Sequence, residues 1–198
     1  MSKDVSYNTT GPWVALFSRT GKEIIDIHNR IDKVPSAIIS TKPFNEWCDE
    51  LQQLCVALDI PHMTLNKRIA KDVDTLHQVI KSYGGDNPLI TTHGWLYILP
   101  AGICDTYRVY NGHPGLILDE YYPELKGIDP QIRAYHGKYD TIGSVIHRVI
   151  PQVDEGEIIT YSKAPNTSVT VDDMYELLRE LSLETWVNFF NHTTPEDI

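Results

Sequence analysis

The residues whose types and spacing suggest chemistry are Asn111, His113 and Asp154. In "RVYNGHPGLI" (108–117), Asn111 and His113 stand two positions apart where a β-branched run ends. Alternate residues of a strand face the same side, so the amide and the imidazole aim at one spot. Pro114 then holds His113 extended and blocks further pairing. In "IHRVIPQVDEGEII" (146–159) a strand stops, a short loop follows, and Asp154 precedes Gly156 and a new strand. With those strand ends side by side, Asn donates a hydrogen bond, His carries a proton and Asp accepts one. Such a trio stabilises an oxyanion and moves protons in acyl transfer without a protein nucleophile. The plainer alternative is a polar turn around a hydrogen-bonded histidine.

A second stretch, "SRTGKE" (18–23), sits at the first strand-to-helix turn. A glycine beside a helix N-terminus is a seat for an anion, which makes Ser18, Arg19, Thr20, Gly21 and Lys22 candidate substrate-binding residues. It is not a P-loop, because Leu16 stands where the first glycine belongs and Glu23 follows Lys22. The alternative is an ordinary βα turn. His113, His136, His147 and Asp154 share the second half of the chain, yet no pair has the helical spacing of a zinc protease, so no metal is expected. No G-x-S-x-G nucleophile turn occurs.

Alternating strands and helices must position these residues. "WVALFS" (13–18), "PSAIIST" (35–41), "HMTLN" and "PLITTHGWLYILP" (88–100, breaking at Gly94) read as strands. Between them lie helices in "GKEIIDIHNRI", "FNEWCDELQQLCVALDI" (44–60, apolar stripe Trp47, Leu51, Leu54, Cys55, Leu58) and "KDVDTLHQVIKSYGG". "RVYNGH", 141–150 and 156–164 are further strands. "IDPQIRAYHGK" is a short helix with Asp129 as N-cap, and 170–190 a closing helix capped by Thr170. This order predicts an α/β fold, with a mainly parallel, Rossmann-like twisted sheet and helices on both faces. Ligands then sit at the carboxyl ends of the strands. The irregular segment 114–140 is expected to close over one.

The 198 residues fit a single domain, 1–198, with 1–12 a flexible N-terminal segment. Composition is globular, 41% apolar and 22% charged. A net charge of −10 argues against broad nucleic-acid binding but allows a small anionic ligand. Three cysteines without a C-x-x-C pair suit a reducing cytoplasm, and no signal peptide or membrane span is evident.

These motifs, taken together, resemble the folate-dependent formyltransferases. That family's N-x-H-P-S-L-L-P is similar to "NGHPGLIL", its loop and helix to "YPELKGIDPQIRA", its T-G-x-T-x-H strand to "TIGSVIHRV", and its D-x-G-P-I turn to "VDEGEII". "HGWLYILP" lies where the family has a G-[FW]-x-x-[IL]-L segment. The resemblance implies the formyltransferase fold and transfer of a formyl group from 10-formyltetrahydrofolate to an amine. It makes Asn111, His113 and Asp154 catalytic: Asn111 bonding the formyl oxygen, protonated His113 stabilising the oxyanion, Asp154 moving the amine proton. It implies a pterin held by Leu96, Tyr97, Ile98 and Leu99 and by Val149, Ile150, Pro151, Gln152 and Val153, with His147 beside the trio. The implied partner is a small anionic amine, and the resemblance admits a homodimer. Departures are Gly115 for the serine after H-P, Glu157 for the proline of the D-x-G turn, Tyr97 for an arginine, and Arg19 and Lys22 for small residues of the phosphate turn. Water as acceptor, giving a deformylase, and a non-catalytic binder are the alternatives.

Overall fold

The computed structural model describes residues 11–191. Most of the N-terminal segment 1–12 therefore lies outside the described residues. Of the remainder, Pro12 is tied to the sheet, its carbonyl accepting from the Leu89 N–H. Among the described residues, seven strands hydrogen-bond in the order β3 (His62–Thr64), β2 (Ala37–Ser40), β1 (Trp13–Phe17), β4 (Leu89–His93), β5 (Val109–His113), β6 (Thr141–Arg148) and β7 (Ile158–Pro165). The described residues divide into two compact units, one running from residue 11 to Val109 together with Phe190 and Asn191, the other Tyr110–Phe189.

The first unit holds the parallel strands β1 (Trp13–Phe17), β2 (Ala37–Ser40), β3 (His62–Thr64) and β4 (Leu89–His93). β1 and β2 are buried along their whole length, as a strand covered on both faces must be. The connecting helices are α1 (Lys22–Ile31), α2 (Asp49–Ala57) and α3 (Val73–Gly84). Asp72 caps α3 by accepting from the Thr75 N–H, and Gly85 ends it with a positive φ. The expected helix over 44–60 is interrupted. A 3-10 turn at Phe44–Glu46 precedes α2, because the Trp47 indole turns inward, donates to the Lys42 carbonyl and packs edge-on against Phe17. The break shifts the buried stripe to Leu51 and Cys55 and leaves Leu58 exposed. A short α4 (Ala101–Thr106) follows β4 and has no counterpart in the expectations.

The second unit carries β5 (Val109–His113), β6 (Thr141–Arg148) and β7 (Ile158–Pro165), paired antiparallel. The segment 114–140 is packed, not open. It contains a 3-10 turn (Pro123–Leu125) and α5 (Pro130–Gly137), and it buries Ile117, Leu125 and Ala134 against Met174, Leu178 and Leu181 of α6 (Val171–Asn191). Tyr122 stacks on Tyr139 within the same layer. Burial of these side chains ties the segment to α6 within the second unit. Asp129 precedes α5 in a left-handed conformation without a side-chain cap, whereas Thr170 and Asp173 cap α6 reciprocally.

Candidate active site

The second unit brings Asn111, His113 and Asp154 together, with His147 among them. Asn111 is in register with His147 across the β5–β6 ladder, and its amide nitrogen lies 3.1 Å from His147 Nε2. Between the two site residues of β5, Gly112 faces the opposite side. A Cβ there would come within 2.7 Å of the Trp186 indole, so only glycine fits under α6. The N-G-H order thus combines two polar heads on one face with the closest helix contact on the other. The β6–β7 ladder slips between Ile146 and His147, a bulge of the kind that re-aims a side chain.

Asp154 closes the cluster from the β6–β7 loop. Its φ of 54° is left-handed, a strain of roughly 1–2 kcal/mol that aspartate tolerates better than most residues. Oδ2 accepts from the Gly127 N–H at 2.8 Å and lies 3.4 Å from His113 Nδ1; Oδ1 lies 3.3 Å from His147 Nε2. Burial pushes this carboxyl up. The His147 hydrogen bond, the His113 ring and the Gly127 N–H outweigh burial and hold it at about 2. Glu155 points elsewhere, pairing with Lys126 at 2.8 Å.

His113 is buried, and its Nε2–H donates to the Leu125 carbonyl at 3.0 Å. Burial lowers its pKa below the ordinary 6.5, against the pull of Asp154 and the Leu125 carbonyl. Nε2 thus faces a carbonyl and Nδ1 a carboxylate, both acceptors, while burial opposes the charge that would satisfy both. His147 Nε2 faces two groups that ask opposite things of it. It accepts from Asn111 or donates to Asp154, and one proton decides which. Its Nδ1 donates to the Arg148 carbonyl.

The first unit contains the other candidates. Ser18 is buried, its hydroxyl accepting from the Leu96 N–H at 3.2 Å and from Thr41 at 2.9 Å. Thr20 accepts weakly from the Lys22 N–H. Gly21 has φ 73° and packs so closely on Leu51 and Phe17 that no Cβ fits. The Lys22 ammonium is 2.6 Å from Asp26, whose hydrogen bond raises its pKa. Arg19 is exposed and forms no ion pair among the described residues. Leu96 and Ile98 are exposed at 61% and 62%, while Leu99 is buried. The buried Trp95 indole N–H has no partner. In the second unit, Val149 to Val153 form the loop after β6, with Val153 exposed.

Three features escaped the sequence reading. Glu23 meets His93 Nδ1 at 2.7 Å, and His93 Nε2 meets the Thr91 hydroxyl at 2.7 Å. The Trp13 indole donates to that hydroxyl, and His93 Nδ1, facing a carboxylate, donates to Glu23. Gly127 and Arg133 are the others, both acting through backbone groups that a side-chain pattern does not announce. Among the described residues, no group of three or more His, Cys, Asp or Glu is arranged to hold a metal ion, and no helix is long and apolar enough to cross a membrane.

Comparison with solved structures bears on this arrangement. A glycinamide ribonucleotide transformylase from Symbiobacterium toebii superposes with a TM-score of 0.73 over 92% of this chain and 86% of that one, at 19% identity. The chain has the formyltransferase fold. A formyltetrahydrofolate deformylase from Pseudomonas syringae pv. tomato shares it, with a TM-score of 0.69 and 19% identity over 87% of this chain and 57% of that one. In sequence, the chain is 31% identical over 113 residues to a phosphoribosylglycinamide formyltransferase of Dictyostelium discoideum, an alignment covering 53% of this chain and 52% of the relative. The match therefore spans about half the length of that curated relative. No family model matches the chain.

Proposed function

We propose that the protein is an enzyme that transfers a formyl group from 10-formyltetrahydrofolate to the amine of a small, anionic acceptor. The observation that carries this reading is the convergence of Asn111, His113 and Asp154 around His147, within a chain that has the formyltransferase fold. Bound 10-formyltetrahydrofolate would supply an activated formyl group. Two stretches, each taken within its own unit, have features suited to its pterin ring: in the first unit Leu96 and Ile98 offer apolar surface on an irregular loop beside the buried Trp95 indole donor, and in the second unit the loop from Val149 to Val153 offers backbone groups.

The residues' own contributions follow from their partners. Asn111 supplies an amide N–H to an oxygen that gains negative charge. His113 supplies its Nε2 proton to the same oxygen, leaving the Leu125 carbonyl, which Arg133 also serves. Asp154, held ionised, stabilises positive charge on either ring and accepts a proton passed along them. Each donor to a developing oxyanion is worth about 10²–10³ in turnover.

The acceptor's negative charge falls to Arg19. Lys22 is ion-paired with Asp26, the Ser18 oxygen accepts from Leu96 and Thr41, and Gly21 is required by packing. A guanidinium binds phosphate oxygens bidentately, so a side chain takes over what small residues and backbone amides do in a tighter turn. The acceptor is then anionic but differs in shape from glycinamide ribonucleotide; a nucleotide or nucleotide-sugar amine fits. Water as acceptor is the second reading, supported by the fold shared with a deformylase. A panel of amines with 10-formyltetrahydrofolate, run on native protein and Arg19→Ala, tests the acceptor. The best amine should lose most of its affinity in the variant. Efficient use of glycinamide ribonucleotide with no effect of Arg19→Ala would reject this assignment of the turn.

A further inference from the structure

The backbone of 124–127 touches the polar cluster at several points. The Leu125 carbonyl accepts from His113 Nε2, and the Gly127 N–H donates to Asp154. One side chain of α5 holds that stretch. Arg133 Nη1 donates to the Glu124 carbonyl at 2.5 Å, and Nη2 donates to the Leu125 and Lys126 carbonyls at 2.8 Å each. Three successive carbonyls are gathered by one guanidinium, a use of its planar fork that lysine cannot reproduce.

We propose that Arg133 is a positioning residue for His113 and Asp154, acting through the backbone of residues 124–127. The proposal rests on the reading of the trio given above. Its geometric basis is the Leu125 carbonyl, which Arg133 and His113 share. A carbonyl oxygen has two lone pairs and serves both donors. With Arg133 in place, His113 can turn its Nε2 proton toward a substrate oxygen without stranding a buried acceptor. Without Arg133, His113 becomes the sole side-chain donor to that carbonyl among the described residues, and Gly127 loses the anchor that aims its N–H at Asp154.

The same contact carries a charge effect. The groups facing His113 are Asp154 from the β6–β7 loop, His147 from β6, Arg133 from α5 and the Leu125 carbonyl. Asp154 and the carbonyl favour the protonated ring; burial, His147 and Arg133 oppose it. Loss of the guanidinium therefore moves the His113 titration upward. Arg133 also keeps its Nε–H buried and without a partner, so its placement serves the three carbonyls rather than its own hydrogen bonding. Gly115 completes the arrangement: a Cβ there would come within 3.2 Å of His113 Nε2 and 3.3 Å of Leu125 Cβ, crowding the shared contact.

The test compares Arg133→Gln and Arg133→Lys with native protein. Turnover of 10-formyltetrahydrofolate is measured with whichever amine of the panel native protein formylates fastest, and the His113 ring is titrated by nitrogen NMR without substrate. In Arg133→Gln, kcat should fall about 10- to 100-fold with KM for the folate little changed, as misplacement of a reacting group does. The His113 midpoint should rise. Arg133→Lys keeps the charge but not the fork, so kcat should fall while the midpoint stays near native. Should the Gln variant fail to fold, the Lys variant carries the kcat measurement. Folded variants with native kcat and a native His113 midpoint would reduce Arg133 to a structural clasp and overturn the proposal. Full activity of His113→Ala would instead remove the trio reading, and the NMR titration would still report whether Arg133 acts on His113.

Discussion

Asp154→Asn removes one charge from the middle of the polar cluster and changes little else in shape. In the native protein the carboxylate accepts from Gly127 and lies against two imidazoles, with only 12% of its side chain exposed. These contacts hold it at about 2 against an ordinary 3.8, a depression of about two units. At about 1.4 kcal/mol per unit, the ionised group contributes about 2.5 kcal/mol to stability at pH 7. The sign follows from the direction of the shift. The folded pKa is depressed, so the contribution is fully present above about pH 4 and is lost as pH falls through about 2; near pH 3 about half remains. Urea unfolding of native and variant proteins from pH 7 to pH 3 measures this directly. The variant should be about 2.5 kcal/mol less stable at pH 7, a fall in Tm of about 5–10 °C for a chain of this size. The gap should narrow below pH 4. An equal stability at pH 7, or a gap that does not change with pH, would refute the reasoning.

Other perturbations probe neighbouring contacts. Gly115→Ser places a Cβ against the His113 ring and Leu125, so it should lower kcat more than KM and displace the His113 ring resonances; unchanged resonances would show that the ring yields at no cost. Glu155→Gln should leave turnover within about twofold of native, since Glu155 pairs at the surface with Lys126 and such pairs contribute little; a dead Glu155→Gln beside an active Asp154→Asn would reverse their assignment. His113, lowered by burial, adds a separate acid-sensitive contribution: stability falls as pH drops below about 6.5 because the unfolded ring takes up a proton more readily, and His113→Gln should abolish that limb of the pH profile. Dialysis against a chelator should leave activity unchanged, because His113 has both ring nitrogens engaged by Leu125 and Asp154; loss of activity restored by a transition metal would contradict this.

How much of this was legible in the sequence depended on how local the cause was. Strand period places Asn111 and His113 on one face, and a D-x-G turn places Asp154 where a strand ends; both are local, and both geometries appear as expected. The parallel first half follows from alternating strands and helices. The Lys22–Asp26 ion pair has a local signal, since Asp26 stands four residues on along the same helix. Trp47 continued an apolar helical period, and only its tertiary contacts with Phe17 and the Lys42 carbonyl break the helix there. The Glu23–His93 pair joins positions far apart in the chain, and Arg133 binds carbonyls that every residue possesses. Neither leaves a mark in residue type or spacing.

The central claim is that a formyl group passes from folate to an amine. It is tested most directly by giving native protein 10-formyltetrahydrofolate labelled with carbon-13 in the formyl group, together with the amine panel, and following the label by NMR. Label appearing in an amide of one acceptor, at a rate lowered about 10²–10³-fold in Asn111→Ala, is the result this account requires. Label appearing only as free formate would make the protein a hydrolase. Label remaining on the folate with every acceptor would contradict the account.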